Sequence, residues 1–151
     1  MKRIWISLVL IMALATFCSA AEKLVEQPAD CIHCGMNRTT FAHSRMLIKY
    51  ADGSSTGTCS IYCIATDMKA AKGKQVKSIQ VADYNSKKLI DARKAAWVIG
   101  GDKSGVMTPI AKWAFADNKA AKGFVAKYGG KLANFEEVLD ASKKEQEAND
   151  K

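Results

Sequence analysis

The chain opens with an unbroken apolar run and changes further on to alternating and helical spacings of apolar residues. The run, residues 4–17, follows two basic residues and precedes a stretch of small ones. A positive start, a short apolar run and small residues at the cut are the features of a secretory signal. We therefore expect residues 1–21 to be a signal peptide, cut after Ala20 or Ala21, that delivers the mature chain to the periplasm or outside the cell. Because the residue before Cys18 is bulky, lipid anchoring at that cysteine is disfavoured.

Residues 31–95 show the pattern of a first unit with two strands, a helix and a further strand. Apolar residues alternate over 45–50 and lead into Ala51-Asp52-Gly53, a strong turn signal, so a β-hairpin is expected. From Ser60 onward the apolar spacing becomes helical, and the helix is expected to end at a glycine. An extended segment over residues 76–81 completes the unit.

A second unit over residues 96–139 repeats the same order of elements. Apolar runs predict strands at 96–99 and 113–116, and a helix capped by Asp117 follows. The inward positions of this helix recur at helical spacing, and a pair of glycines marks its end. A last strand is expected near residues 132–135. The fold class predicted for the mature chain is α+β, with two small ββαβ units packed together as one compact protein.

Polar segments flank the two predicted units. Residues 22–30, which contain a proline, are expected to form a flexible lead-in, and residues 140–151 a charged tail that frays in solvent from Ser142 on.

The full chain carries a net charge of +8, with its lysines scattered rather than clustered. Scattered lysines without interleaved aromatic residues favour a solvated surface over a nucleic-acid interface. No second long apolar run follows the signal, so no stable membrane insertion is expected after its cleavage.

Four cysteines beyond the predicted signal carry the most specific chemistry of the sequence. Cys31 and Cys34 belong to a Cys-Ile-His-Cys-Gly-Met motif that ends at Met36, and Cys59 and Cys63 form a second pair. Thiolates and thioethers are soft donors that favour copper(I), whereas hard oxygen donors are absent from the motif. The glycine lets the backbone turn so that sulfurs on both sides can face one ion. The sequence therefore predicts a soft-metal site, with copper(I) as the preferred ion.

Other residues of the mature chain extend this candidate site. Met107 lies in a loop that gives it no evident core position, which makes it a candidate ligand. If Ser60 caps the predicted helix, Cys63 is its third residue, where the positive helix end is expected to lower the pKa of a thiol. Cys59 could then contact the same ion or bond to Cys63. His33 could bind metal or point to water.

Two other classes of function fit the same cysteines. In a thiol-disulfide or disulfide-stabilised module, Cys31 and Cys34 are redox active, and Cys59 and Cys63 are structural or resolving. In a structural zinc domain, the four thiolates bind one ion. The sequence contains no nucleophile elbow, no HExxH motif and no phosphate-binding glycine loop, so we expect no enzyme activity.

Several stretches, taken in order, resemble the NosL family of periplasmic copper chaperones, which accompany nitrous oxide reductase. They are the cysteine motif at 31–36, Trp-Ala-Phe at 113–115, Phe-Val-Ala-Lys-Tyr-Gly-Gly at 124–130 and Phe-Glu-Glu at 135–137. The likeness covers most of residues 31–139. The cysteine motif is the most specific of these elements, and the others persuade mainly through their order.

The resemblance implies two small ββαβ units and a copper(I) site with ligands from both. The implied ligands are Cys34, Met36 and Cys31 from the motif, with Met107 as the methionine of the second unit. It also implies a copper-requiring client protein, such as nitrous oxide reductase or its assembly machinery. The chain departs from the family pattern at Phe17, which breaks the lipoprotein signal of many members. The additional pair, Cys59 and Cys63, is a second departure. Because of this pair, the resemblance does not identify the client protein.

Overall fold

The strands and helices of the chain form two antiparallel sheets with helices packed against them. The computed structural model describes residues 25–149, and the predicted signal peptide, with its cleavage site and Cys18, lies outside them. The elements in chain order are β1 (Met46–Tyr50), β2 (Ser55–Thr58), α1 (Ile61–Ala70), β3 (Val76–Ala82), β4 (Leu89–Asp91), β5 (Ala96–Ile99), β6 (Lys112–Phe115), α2 (Asn118–Tyr128), β7 (Lys131–Ala133) and α3 (Phe135–Asn149). No helix among these residues combines the length and the apolarity needed to cross a bilayer.

The first sheet has the strand order β2-β1-β3-β4. The predicted hairpin of β1 and β2 forms, with Asp52 Oδ1 accepting a hydrogen bond from the Ser54 amide at 2.8 Å. Gly53 adopts a φ of +86° in the turn, a conformation that glycine reaches without steric cost. The alternating apolar residues of β1 are buried on one face, and Ile61 and Ile64 of α1 pack against them. Helix α1 therefore lies on the apolar face of this sheet.

The second sheet has the strand order β6-β5-β7. Trp97 at its centre pairs with Ala114 on one side and with Ala133 on the other. Asp117 caps α2, because its side chain accepts a hydrogen bond from the Ala120 amide at 2.8 Å. Each half of the chain thus contains two strands, a helix and a strand, and β4 adds an edge strand to the first. The predicted α+β fold class is confirmed.

Side chains of the second sheet separate two apolar clusters. Trp97 faces the first cluster, together with the first sheet, α1 and α3. Its neighbour Val98, and Trp113 and Phe115 on β6, face the second cluster, which contains three of the four cysteines and one face of α2. Because successive side chains of a strand point to opposite faces, β5 and β6 contribute to both clusters. The cysteines therefore lie where the two units meet.

Helix α3 extends well beyond the point at which the sequence predicted fraying. Residues up to Asn149 are helical, so the prediction of a frayed tail from Ser142 on is wrong for the described residues. The buried Gln146 side chain donates hydrogen bonds of 2.8 Å to the carbonyl of Tyr62 and the hydroxyl of Thr66 on α1. Beyond Ser142, polar contacts with α1 thus hold the helix in place where the sequence has no apolar stripe.

The segment predicted as a flexible lead-in makes specific contacts over the part that the structure describes. Val25 is buried, and Asp30 forms a β-bridge with Asn37. The guanidinium of Arg38, fully buried, donates hydrogen bonds to the Glu26 carbonyl at 2.8 Å and to the Glu26 carboxylate. A buried guanidinium requires partners for its donors, and this segment supplies them.

Candidate metal centre

The structure brings the two cysteine pairs together in space. The sulfur atoms of Cys31, Cys34, Cys59 and Cys63 all lie within 4.8 Å of one another, and all four are free thiols. The sulfur of Cys59 lies 3.4 Å from that of Cys34 and 3.8 Å from that of Cys63, and Cys63 and Cys34 are 3.8 Å apart. We call this group the four-thiol cluster. Its members are buried except for Cys34, which is partly exposed and forms the open edge of the cluster.

Residues 31–36, here called the cysteine turn, fold back on themselves to present two sulfurs. The Gly35 amide donates to the Cys31 carbonyl at 2.8 Å, and the Cys31 amide donates to the Met36 carbonyl at 2.9 Å. Gly35 has a φ of +74°, in the left-handed region that glycine favours. The glycine of the motif therefore serves the sharp turn expected from the sequence.

The second cysteine pair lies at the junction of β2 and α1. Cys59 follows the last residue of β2, and Ser60 is the N-cap of α1, although its side chain makes no capping hydrogen bond. The Ser44 hydroxyl donates to the Cys59 carbonyl at 2.8 Å, and Arg38 Nε donates to the Thr58 carbonyl at 3.1 Å. These buried hydrogen bonds fix the backbone that positions Cys59.

The acidity of the thiols differs from the sequence prediction. Hydrogen bonds from Cys59 and then Cys63 lower the pKa of Cys31 far below the usual value of a thiol. The pKa of Cys63 is raised, because it makes hydrogen bonds to Cys31 and to Cys59 and is also desolvated by burial. The prediction of a low-pKa thiol at Cys63 is therefore wrong. At Cys63 the neighbouring sulfurs and burial thus have a larger effect on the thiol pKa than the positive helix end.

The two candidate methionines occupy different surroundings. Met36 is half-buried and packs against the apolar cluster that contains Cys31, Cys59 and Cys63. Met107 is 40% exposed and has a φ of +66°, which is unusual for a residue with a side chain. Its chain neighbours line a small cavity together with Ser60. The structure therefore places the Met107 loop close to the start of α1, with the Met107 side chain partly in solvent.

Sequence reasoning did not find the partner of His33. The Nε2 atom of His33 lies 2.8 Å from Oδ1 of Asp67, and the Tyr50 hydroxyl donates to Oδ2 of the same carboxylate at 2.5 Å. Burial, followed by this hydrogen bond, raises the pKa of Tyr50, which keeps the hydroxyl a proton donor. Asp67 lies one helical turn after Cys63, and this spacing is the signal that could have identified it.

The sulfur geometry suits a soft metal ion. An ion bound to four sulfurs at about 2.3 Å in a tetrahedron separates those sulfurs by about 3.8 Å. The separations among the sulfurs of Cys34, Cys59 and Cys63, 3.4 to 3.8 Å, approach that value, and the Cys31 sulfur lies within 4.8 Å of each of them. The four-thiol cluster is therefore compatible with metal binding.

Fold and site together define a small α+β protein with a four-cysteine cluster compatible with metal binding. The family model NosL matches residues 22–142, and the chain therefore belongs to the NosL family. The fold is similar to that in the crystal structure of the copper chaperone NosL from Shewanella denitrificans, with a TM-score of 0.60. The two chains are 24% identical, and the match covers 78% of this chain and 94% of that one. Among curated proteins, no sequence matches.

Proposed function

We propose that the chain is a periplasmic copper(I)-binding protein, a metallochaperone that carries the ion to a copper-requiring client. The observation that supports this most directly is the convergence of four thiols at a site with one open edge, at Cys34. Membership of the NosL family and a fold shared with a copper chaperone support the same assignment.

The composition of the site favours copper(I) as the cargo. All four sulfurs are soft donors, and the Met36 thioether packs beside them. Copper(I) is satisfied by fewer than four sulfur ligands, so its sulfurs can exchange one at a time. An incoming sulfur can therefore bind before the departing one leaves. We propose that Cys34, at the open edge, is the sulfur exchanged with the partner, and that Met107 joins during transfer.

The family and the predicted signal support the proposed client and compartment. The client is a copper-requiring protein, nitrous oxide reductase or a component of its assembly machinery. In an oxidising compartment, a thioether such as that of Met36 remains a ligand when a thiol is lost to a disulfide. The protein acts in this proposal as a carrier and turns over no substrate.

A competition titration tests the copper assignment. Mature protein, residues 22–151, is reduced under anaerobic conditions and titrated with copper(I) against a colorimetric chelator. We expect about one tightly held equivalent, and at least tenfold weaker binding when Cys34→Ser removes a thiolate. Met36→Leu keeps the bulk and removes the donor, so it should weaken binding less. Met68→Leu is the matched control, because Met68 is also half-buried but packs against the cysteine-free cluster.

Absence of copper(I) binding above background would contradict the proposal. The same cysteines would then be best explained by a thiol-disulfide module, which catalyses the reduction of insulin. Unchanged affinity in Met36→Leu would remove that residue alone from the site and leave the cysteines in place.

A structural zinc site is a second candidate that one observation favours. Four thiols within 4.8 Å of one another, three of them separated by 3.4 to 3.8 Å, suit a tetrahedral four-thiolate zinc ion as well as copper. Addition of copper(I) to zinc-loaded protein distinguishes the two, with a chromophoric zinc indicator as the readout. We expect stoichiometric release of zinc, whereas retention of zinc would favour the structural role.

A further inference from the structure

His33, Asp67 and Tyr50 form a hydrogen-bonded chain beside the four-thiol cluster, here called the latch. The His33 ring donates from Nε2 to one oxygen of Asp67, and Tyr50 donates to the other, at 2.8 and 2.5 Å. The side chain of His33 is 21% exposed and that of Asp67 is 10% exposed, so the carboxylate is the more shielded partner. If His33 moved away, the Asp67 carboxylate would stay buried with one hydrogen bond fewer, at a cost in free energy. This cost favours the paired state.

The latch connects three elements that carry or support the thiols. His33 lies between the two cysteines of the cysteine turn, Asp67 lies on α1 one turn beyond Cys63, and Tyr50 ends β1. The turn's own backbone hydrogen bonds are largely internal, and its amide contact with the Gly57 carbonyl is long, at 3.3 Å. The His33–Asp67 contact is therefore a short hydrogen-bonded link from the turn to the helix that carries Cys63.

We propose that the latch is a positioning device that holds the Cys31 and Cys34 sulfurs against those of Cys59 and Cys63. Opening of the latch frees the cysteine turn from α1 and separates the two cysteine pairs. The inference deepens the proposed function, because a bound copper(I) ion then leaves faster through the open edge at Cys34. The arrangement of the thiols themselves does not depend on copper and can be tested without it.

The first experiment measures how fast each cysteine of the reduced, metal-free protein reacts with iodoacetamide, with peptide mass spectrometry to assign each site. In Asp67→Asn, which keeps the size of the side chain and removes its charge, we expect the rate at Cys34 to rise about tenfold relative to that at Cys59. Tenfold corresponds to the loss of one charge-assisted hydrogen bond. A merely structural effect would expose both cysteines alike and leave this ratio unchanged.

Matched variants separate the latch from general destabilisation. Asp83→Asn is the control, since Asp83 is also buried but accepts its hydrogen bonds from Ser86 and from the Ala116 amide. His33→Leu should reproduce the Asp67→Asn ratio, and His33→Gln, whose amide can still donate, should restore at least half of the wild-type protection. If Asp67→Asn fails to fold, the two His33 variants carry the same comparison.

The second experiment follows copper(I) transfer to an excess of the colorimetric chelator. We expect His33→Leu to release copper(I) about tenfold faster than wild type, and Asp83→Asn to release it at the wild-type rate. An unchanged alkylation ratio in both Asp67→Asn and His33→Leu would overturn the latch even if copper binds. A raised ratio in a protein that binds no copper would support the latch and refute the proposed function.

Discussion

At the scale of single residues, Gly57 makes room for a buried charge. A Cβ atom at this position would lie 2.6 Å from Nη1 of Arg38 and 2.9 Å from Cδ of Pro28. Arg38 cannot withdraw, because its guanidinium is fully buried and donates to the Thr58 carbonyl beside Cys59. We predict that Gly57→Ala lowers the free energy of unfolding by about 1–3 kcal/mol, measured by urea denaturation.

The control for this substitution is an exposed helical glycine. Gly123 lies within α2, and a Cβ there would meet no atom within 4 Å. Gly123→Ala should raise the free energy of unfolding by about 0.5–1 kcal/mol, because alanine is the better helix former. Equal urea midpoints for Gly57→Ala and wild type would contradict this prediction. They would show that Arg38 and its hydrogen-bond partners can shift to admit the Cβ atom without loss of stability.

The residues of the candidate site could be predicted from the sequence only where their chemistry is rare. Paired cysteines next to a Gly-Met are conspicuous, so the members of the four-thiol cluster could be named before their distances were known. Arg38 and Asp67 have charged side chains that in a sequence look like ordinary surface residues. Only the folded chain shows that both are buried and paired. The acidity of Cys63 was mispredicted for a related reason, since it depends on sulfurs distant in sequence.

At the scale of elements, one ion pair attaches α3 to the second sheet. Nζ of Lys112 on β6, whose side chain is 3% exposed, lies 2.8 Å from both carboxylate oxygens of Glu145 on α3. Removal of the negative charge leaves a shielded ammonium with only neutral partners. We predict that Glu145→Gln costs about 2 kcal/mol of unfolding free energy in a thermal or urea melt.

Glu147→Gln is the matched control, because Glu147 lies on the same helix but is exposed. Its effect should stay within about 0.5 kcal/mol. Similar losses in both variants would indicate that helix propensity, rather than the ion pair with Lys112, sets the stability of α3. Urea melts of the two variants beside wild type make the comparison directly.

Elements with a strong apolar period could be predicted, whereas elements stabilised by polar contacts could not. The hairpin, α1 and α2 follow from alternating or helical spacing and from turn and cap residues. In α3 the buried face runs through Val138 and Leu139 and then continues with Ser142 and Gln146. Because the last two are polar, the apolar pattern stops at Leu139 and the remainder of the helix was mistaken for a frayed tail.

At the scale of the whole molecule, the two apolar clusters have different roles: one stabilises the fold, and the other surrounds the candidate metal site. The first cluster, between the first sheet, α1, α3 and Trp97, contains no cysteine. The second contains the buried cysteines together with Trp113, Phe115 and Phe124. A ligand bound to the thiols therefore acts on the junction of the units, while the first cluster can keep the chain folded without it.

This division predicts how the protein responds to metal removal. We expect the reduced protein to keep its secondary structure and a cooperative melt after treatment with a strong chelator, measured by circular dichroism and tryptophan fluorescence. Copper(I) should then raise the unfolding free energy by linkage, by about 2.7 kcal/mol when free ion reaches a hundred times the dissociation constant. Serine at all four cysteine positions should abolish this gain. Collapse of the secondary structure on chelation alone would contradict the expectation, because a domain that depends on its metal unfolds without it, as a structural zinc site requires.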